Sequence, residues 1–135
     1  MITLRSAHVS VDGPDDPDVV WERYAAPDLW PTWAPQITAV DYPLPRIAPG
    51  VGGTVHGLAG VRVKFTITQV DEPRRLWTWR VRIGPLRMHL DHTVSAGPRG
   101  GTTTELTVDG PPVLVHAYAL ASTIALRRLV GFSNG

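Results

Sequence analysis

The chain has 135 residues, 43% of them hydrophobic and 19% charged, with thirteen prolines and thirteen glycines. That length suits a single domain over residues 1–135 with one core, and the density of breakers predicts many short elements joined by turns. Thirteen basic against twelve acidic residues leave a net charge of +1, no electrostatic reason to expect nucleic acid or an anionic membrane, and the lack of cysteine excludes disulfides, thiol nucleophiles and thiolate-bound metal.

Residues 1–13 alternate polar and apolar and contain no continuous apolar run of the secretory kind, so with no cysteine a cytoplasmic address is expected. Ile2 to Val11 reads as a first strand, stopped by GPDDPD at 13–18. Asp16 followed by Pro17 makes an N-cap and first helical position, and Asp18 adds negative charge to the first turn. A short helix is predicted from Pro17 to Ala25, limited by Pro27. Asp28 offers a second capped start, for a helix of one or two turns with Trp30 and Trp33 on its inner face.

From Ile37 the period changes to that of strands. Ile37 to Tyr42, Thr54 to Leu58, Val61 to Val70, Leu76 to Ile83, Leu86 to Ala96 and Thr102 to Val108 are each bounded by Gly or Pro signals, which makes seven strands in all. The short connections after residue 58 demand antiparallel neighbours. Within them, LWTWRVRIGPLRMHLDH (76–92) reads as a hairpin with Gly84 and Pro85 at its tip. Trp77 then faces His92, Trp79 faces Leu90, Val81 faces Met88 and Ile83 faces Leu86, all on one side. Thr78, Arg80, Arg82, Arg87, His89 and Asp91 take the solvent side, and a slip of one residue would bury the arginines. Arg82 opposite Arg87 is a visible cost. The preceding strand supplies Val63, Phe65 and Ile67 to the inner side and Arg62, Lys64, Thr66 and Thr68 to the outer.

One long helix ends the chain. Asp109-Gly-Pro-Pro offers a start and Gly131 a stop, with Arg127 and Arg128 placed against the C-terminal dipole. The uncharged stretch from Val113 to Leu126 is short for a membrane span, so no membrane insertion is expected. At 100° per residue His116, Thr123 and Arg127 form a polar stripe, opposite Leu114, Tyr118, Ala121, Ala125 and Leu129. About twenty helical residues span ~30 Å, as does a strand of about nine or ten, so the helix can run the length of a curved sheet. Ala121 and Ala125 on the inward face would leave a gap between helix and sheet. The architecture expected is therefore α+β: a curved seven-stranded antiparallel sheet wrapped around a long C-terminal helix, with two short helices between strands 1 and 2.

Three strings resemble one known group: VWERYAAPDLWPTWAPQI (20–37), VDEPRRLWTWRVRIGPLRMHLDHTV (70–94) and DGPPVLVHAYALASTIALRRLV (109–130). They are similar to the SRPBCC superfamily, the helix-grip fold of START domains and polyketide cyclase/dehydrase-like proteins. The resemblance implies a deep, mostly apolar cavity between helix and sheet that receives a small lipophilic molecule, with Trp33, Phe65, Trp79, His92 and Tyr118 on its walls. Adding the same-face neighbours Trp77 and Leu90 and the small helix residues Ala121 and Ala125 gives the candidate ligand-binding set.

Each of these residues also has a plain structural reading. Trp77 and Trp79 can be core alone, since two tryptophans bury ~400 Å². An empty apolar cavity of about 300 Å³ would cost ~7 kcal/mol, so any cavity of that size should be filled. His92 is the candidate for chemistry, because an inward imidazole can bond a carbonyl or phenol or move a proton near neutral pH; no orienting carboxylate shares its face. Tyr118 can point into the cavity or simply pack. His89 and His92 alternate across a strand and cannot chelate one ion, and His8, His56 and His116 are scattered, so no metal is expected. His56 or Arg62 would face inward only if its strand were turned over. GVGG at 50–53 lacks the Lys and helix of a P-loop, no serine, from Ser6 to Ser133, lies in a nucleophile elbow, and no cofactor is implied.

Three functions follow. The first is binding of a small hydrophobic or aromatic molecule; the second is a polyketide cyclase/dehydrase-like enzyme in which His92 or a water moves protons; the third is an interaction module working through its surface. Homodimerisation is compatible with all three.

Overall fold

The computed structural model describes residues 5–132. Ile2 to Leu4 of the expected first strand and Ser133 lie outside the described residues. In chain order the elements are β1 (Arg5–Gly13), α1 (Pro17–Ala25), a 3-10 turn (Pro27–Leu29), α2 (Trp30–Trp33), β2 (Ile37–Asp41), β3 (Gly52–Gly57), a second 3-10 turn (Leu58–Gly60), β4 (Arg62–Asp71), β5 (Leu76–Ile83), β6 (Leu86–Ala96), β7 (Thr102–Gly110) and α3 (Pro112–Leu129). The strands form one antiparallel sheet in the order β1-β7-β6-β5-β4-β3-β2, so the first strand closes against the last. This is the helix-grip arrangement, with both short helices in the β1–β2 connection.

Local chemistry explains most boundaries. The Asp16 side chain accepts a hydrogen bond from the Asp18 backbone N–H at 2.9 Å, with Pro17 at the first helical position, and this cap starts α1. Its buried residues, Val20, Trp21, Tyr24 and Ala25, share one face spaced at a helical turn. Asp28 does not cap the next helix as expected. It sits inside the 3-10 turn, whose entry at Ala26 makes no side-chain cap bond. Asp109 does not open α3 either: β7 pairs with β1 as far as Arg5 opposite Gly110, so Asp109 is spent in the strand and the helix enters from Pro111.

The β5–β6 hairpin has the expected register, Trp77 opposite His92 through Ile83 opposite Leu86. Gly84 takes φ +56° while Pro85 is held at negative φ by its ring, the combination of a type II′ turn. Between β4 and β5 a bulge at Thr68 shifts the pairing from Ile67–Trp79 to Gln69–Thr78, which returns Val70 to the side of Trp77. Thr78, expected in solvent, is only 6% exposed on this central strand, with its hydroxyl hydrogen-bonded to that of Thr68.

Helix α3 rests on β1 and β7 and touches α2, rather than lying over β3 to β5. Its C-terminal end is tight against β1: a Cβ on Gly13 would stand 2.2 Å from the Val130 side chain. Its buried residues are Val115, Ser122, Ala125, Leu126 and Leu129. Compared with the expected inward face, the helix is turned by roughly 55° at 100° per residue, and Ala121 is exposed. Val113 and Leu120 are 81% and 78% exposed. With no Asp, Glu, Lys or Arg between Pro112 and Leu126 the apolar pattern runs around the helix, and contact with β1 and β7 sets its phase.

Candidate functional site

The concave side of the sheet holds a continuous group of rings. Trp77 and Trp79 lie edge to face at 5.2 Å, Trp30 stacks on Trp77 at 5.7 Å, and Phe65 packs on Trp79 at 5.0 Å. Tyr24 meets Trp33, Trp77 and His92 edge-on at 5.4–5.5 Å. α1 and the short α2 contribute Tyr24, Trp30 and Trp33, and alternate positions of β5 and β6 contribute Trp77, Trp79 and His92.

These rings occupy much of the space where a deep cavity was expected. What remains is an inner hollow of about 40 Å³ between α3 and the sheet and, next to it, an open apolar cleft of about 310 Å³ over β3, β4 and β5. Left dry, the inner hollow costs only about 1 kcal/mol, so it imposes no need for a filler. The cleft is walled by Val55, Val63, Val81 and Trp79, with Leu58 and Val61 of the β3–β4 turn at its rim. Gln36, Ile37, Trp79 and Tyr118 line both spaces and so form the partition between them.

Of the nine candidate ligand-binding residues, Trp33, Trp77, Trp79, His92, Tyr118 and Ala125 line the inner hollow. Phe65 and Leu90 line neither space; they are core, Phe65 sandwiched between Tyr42 and Trp79 and Leu90 fully buried. Ala121 faces away. Sequence reasoning missed Tyr24, Trp30, Gln36 and Ser122, and the whole wall from β3. Only Trp30 carried a signal, through its spacing to Trp33; the others come together by tertiary packing. His56 and Arg62 are on the outer side, His56 paired with Asp41 at 2.7 Å.

The polar groups of the site are few. Three tryptophans satisfy their indole N–H within the protein: Trp21 on Glu72 at 2.6 Å, Trp30 on the Tyr24 carbonyl at 2.8 Å, and Trp33 on the Arg23 carbonyl at 3.0 Å. Trp30 and Trp33 line the hollow together with Trp77 and Trp79, and only the last two leave the indole N–H without such a bond. Nε1 of Trp77 and Nε1 of Trp79 are buried without a hydrogen-bond partner among the described residues, at a cost of ~1–3 kcal/mol each.

His92 lies flat on Trp77, ring centroids 3.8 Å apart and planes within 7°. Its Nδ1–H donates to the Trp77 carbonyl at 3.2 Å, which leaves the lone pair of the neutral ring on Nε2. Burial pushes its pKa down to about 3, so His92 is uncharged at neutral pH and serves as an acceptor, not as a proton shuttle near neutrality. Burial pushes the Tyr118 phenol up to about 12 and keeps it protonated. The Tyr24 hydroxyl, also raised by burial, is engaged with Thr104 at 3.2 Å. Among the described residues no three His, Asp or Glu side chains converge on a point where a metal could sit.

An antiparallel sheet gripping one long helix, with an aromatic hollow between them and an apolar cleft beside it, defines a helix-grip protein. The sequence profile of the family described as "Polyketide cyclase / dehydrase and lipid transport" matches residues 5–130, and the chain belongs to that family, within the SRPBCC superfamily. Among solved structures it is similar to Ara h 8.0201, with 14% identity over 96% of this chain and 97% of that one and a TM-score of 0.77. That likeness is one of fold. No curated protein matches the sequence.

Proposed function

We propose that this protein is a single cytoplasmic domain that binds one small hydrophobic or aromatic molecule in the cleft, with a hydrogen-bond acceptor of that molecule reaching past Tyr118 to the inner tryptophans. The observation that carries the reading is a contrast among the four indoles lining the mostly apolar inner hollow: Trp30 and Trp33 bond within the protein, whereas the buried N–H groups of Trp77 and Trp79 have no partner among the described residues. An oxygen acceptor on a bound molecule recovers that cost, and His92 Nε2 adds an acceptor for a ligand hydroxyl. A cyclase-type reaction is less well served, because His92 is neutral and its Nδ1 is bound to a backbone carbonyl rather than to a carboxylate. An interaction module is favoured as a second reading by the exposed apolar arc Val113, Leu120 and Ile124 on α3.

Native mass spectrometry of the purified protein reads both a carried molecule and the oligomeric state. Titration with the neutral fluorophore N-phenyl-1-naphthylamine then measures the cleft directly. One probe per chain is expected, with the indole resonances of Trp77 and Trp79 moving and those of Trp21, Trp30 and Trp33 still. Gly57→Leu, whose Cβ has ordinary room at 3.6 Å, narrows the cleft and should weaken the probe at least tenfold in a folded protein. An empty protein that ignores the probe, or equal binding by Gly57→Leu, defeats the proposal.

A further inference from the structure

The outer side of the same sheet carries a feature that binding in the cleft does not use. In β4, β5 and β6, Lys64 pairs with Arg82 and Arg82 with Arg87, so three cations stand in one cross-strand row. With neighbouring strands ~4.8 Å apart the row is ~10 Å long, and Arg80 lies two residues along β5, ~7 Å away. All four are exposed.

Like charges directly opposite one another on a sheet are destabilising. Four of the arginines outside this row meet carboxylates: Arg23 meets Asp15 at 2.6 Å, Arg46 meets Glu22 at 2.7 Å and Glu72 at 2.9 Å, Arg74 meets Asp71 at 3.7 Å, and Arg75 meets Asp18. Among the described residues none of Lys64, Arg80, Arg82 and Arg87 has such a partner. Their side chains instead surround an open hollow of about 350 Å³, to which Thr66 adds a hydroxyl and Gly53 a bare stretch of backbone.

We propose that this hollow is an anion site for a compact, multiply charged phosphate group of the diphosphate type, carried by a soluble molecule. Arginine forks on neighbouring strands match adjacent phosphoryl groups, and the bound charge would relieve the repulsion in the row. The surroundings limit the size of the partner. Asp91 and Asp109 lie on the β6–β7 side, Asp41 on the β2 side, and the outward positions of β3 to β6 carry no Phe, Tyr or Trp on which a nucleobase could stack. A short, dense anion fits this patch, and a long nucleic-acid tract does not.

Isothermal titration with inorganic pyrophosphate, against sulfate and chloride at equal ionic strength, tests the site. Saturable one-to-one binding is expected for pyrophosphate. The Arg82→Gln/Arg87→Gln double variant should bind at least about tenfold more weakly. Without ligand its thermal midpoint should equal or exceed that of the wild type, because a like-charge pair has been removed. Amide shifts in the wild-type protein, which need no variant, should concentrate in residues 62–66 and 80–87. The proposal is overturned by a response that follows ionic strength alone, by unchanged binding in the double variant, by shifts elsewhere, or by retention on phosphatidylinositol-4-phosphate vesicles without pyrophosphate binding.

Discussion

The ring of His92 is stacked on Trp77 and shut away from water, so its protonated form would lose hydration with no carboxylate nearby to replace it. The folded-state pKa near 3 lies below the ordinary 6.5, and the sign of the pH effect follows. Below pH 6.5 the unfolded chain takes up a proton that the folded chain refuses, so stability is held above that pH and lost as pH falls toward 3. One such group contributes a slope of at most about 1.4 kcal/mol per pH unit. Urea unfolding of wild type and His92→Gln between pH 7 and 5 should show that slope approached only in the wild type; parallel curves would mean that the imidazole is hydrated in the folded protein. The inward position of His92 was legible from strand alternation. Its loss of basicity was not, because desolvation depends on Tyr24, which arrives from α1.

For elements, the hairpin and α3 mark the two ends of legibility. The β5–β6 register could be read from sequence because a one-residue slip would bury Arg80, Arg82 and Arg87, a penalty no alternative pairing recovers. The phase of α3 could not, because residues 112–126 are apolar or small nearly all round and several rotations bury similar area. Paired substitutions separate the two phases. Ala125→Phe places a ring at a 2% exposed position and should cost about 1–3 kcal/mol in urea unfolding, whereas Ala121→Phe, on the exposed face, should stay within about 0.5 kcal/mol. A cost at Ala121→Phe as large as that at Ala125→Phe would restore the phase read from the sequence, which turned both alanines inward. The bulge at Thr68 was invisible for a related reason: an extra residue in a strand of alternating pattern leaves both faces plausible until the partner strand is in place.

On the scale of the whole molecule, the sheet separates an apolar, aromatic concave side from a cationic patch on the other side, and the linings of the cleft and the cationic hollow have one residue in common, Val81. Binding at one should leave the other unchanged: the dissociation constant of N-phenyl-1-naphthylamine should agree within about twofold with and without saturating pyrophosphate. A larger change would show that the strands transmit binding across the sheet. The sequence by itself determined the seven strands, the antiparallel pairing, the hairpin register and the two short helices, because periodicity, turn residues and caps act over a few neighbouring positions. The tertiary structure alone decided how α3 is turned, how far the aromatic rings fill the interior, which indoles go unpaired, and that Lys64 extends the Arg82–Arg87 pair into a row. Those outcomes depend on contacts between residues far apart in the chain, where packing rather than local preference selects among arrangements of similar local energy.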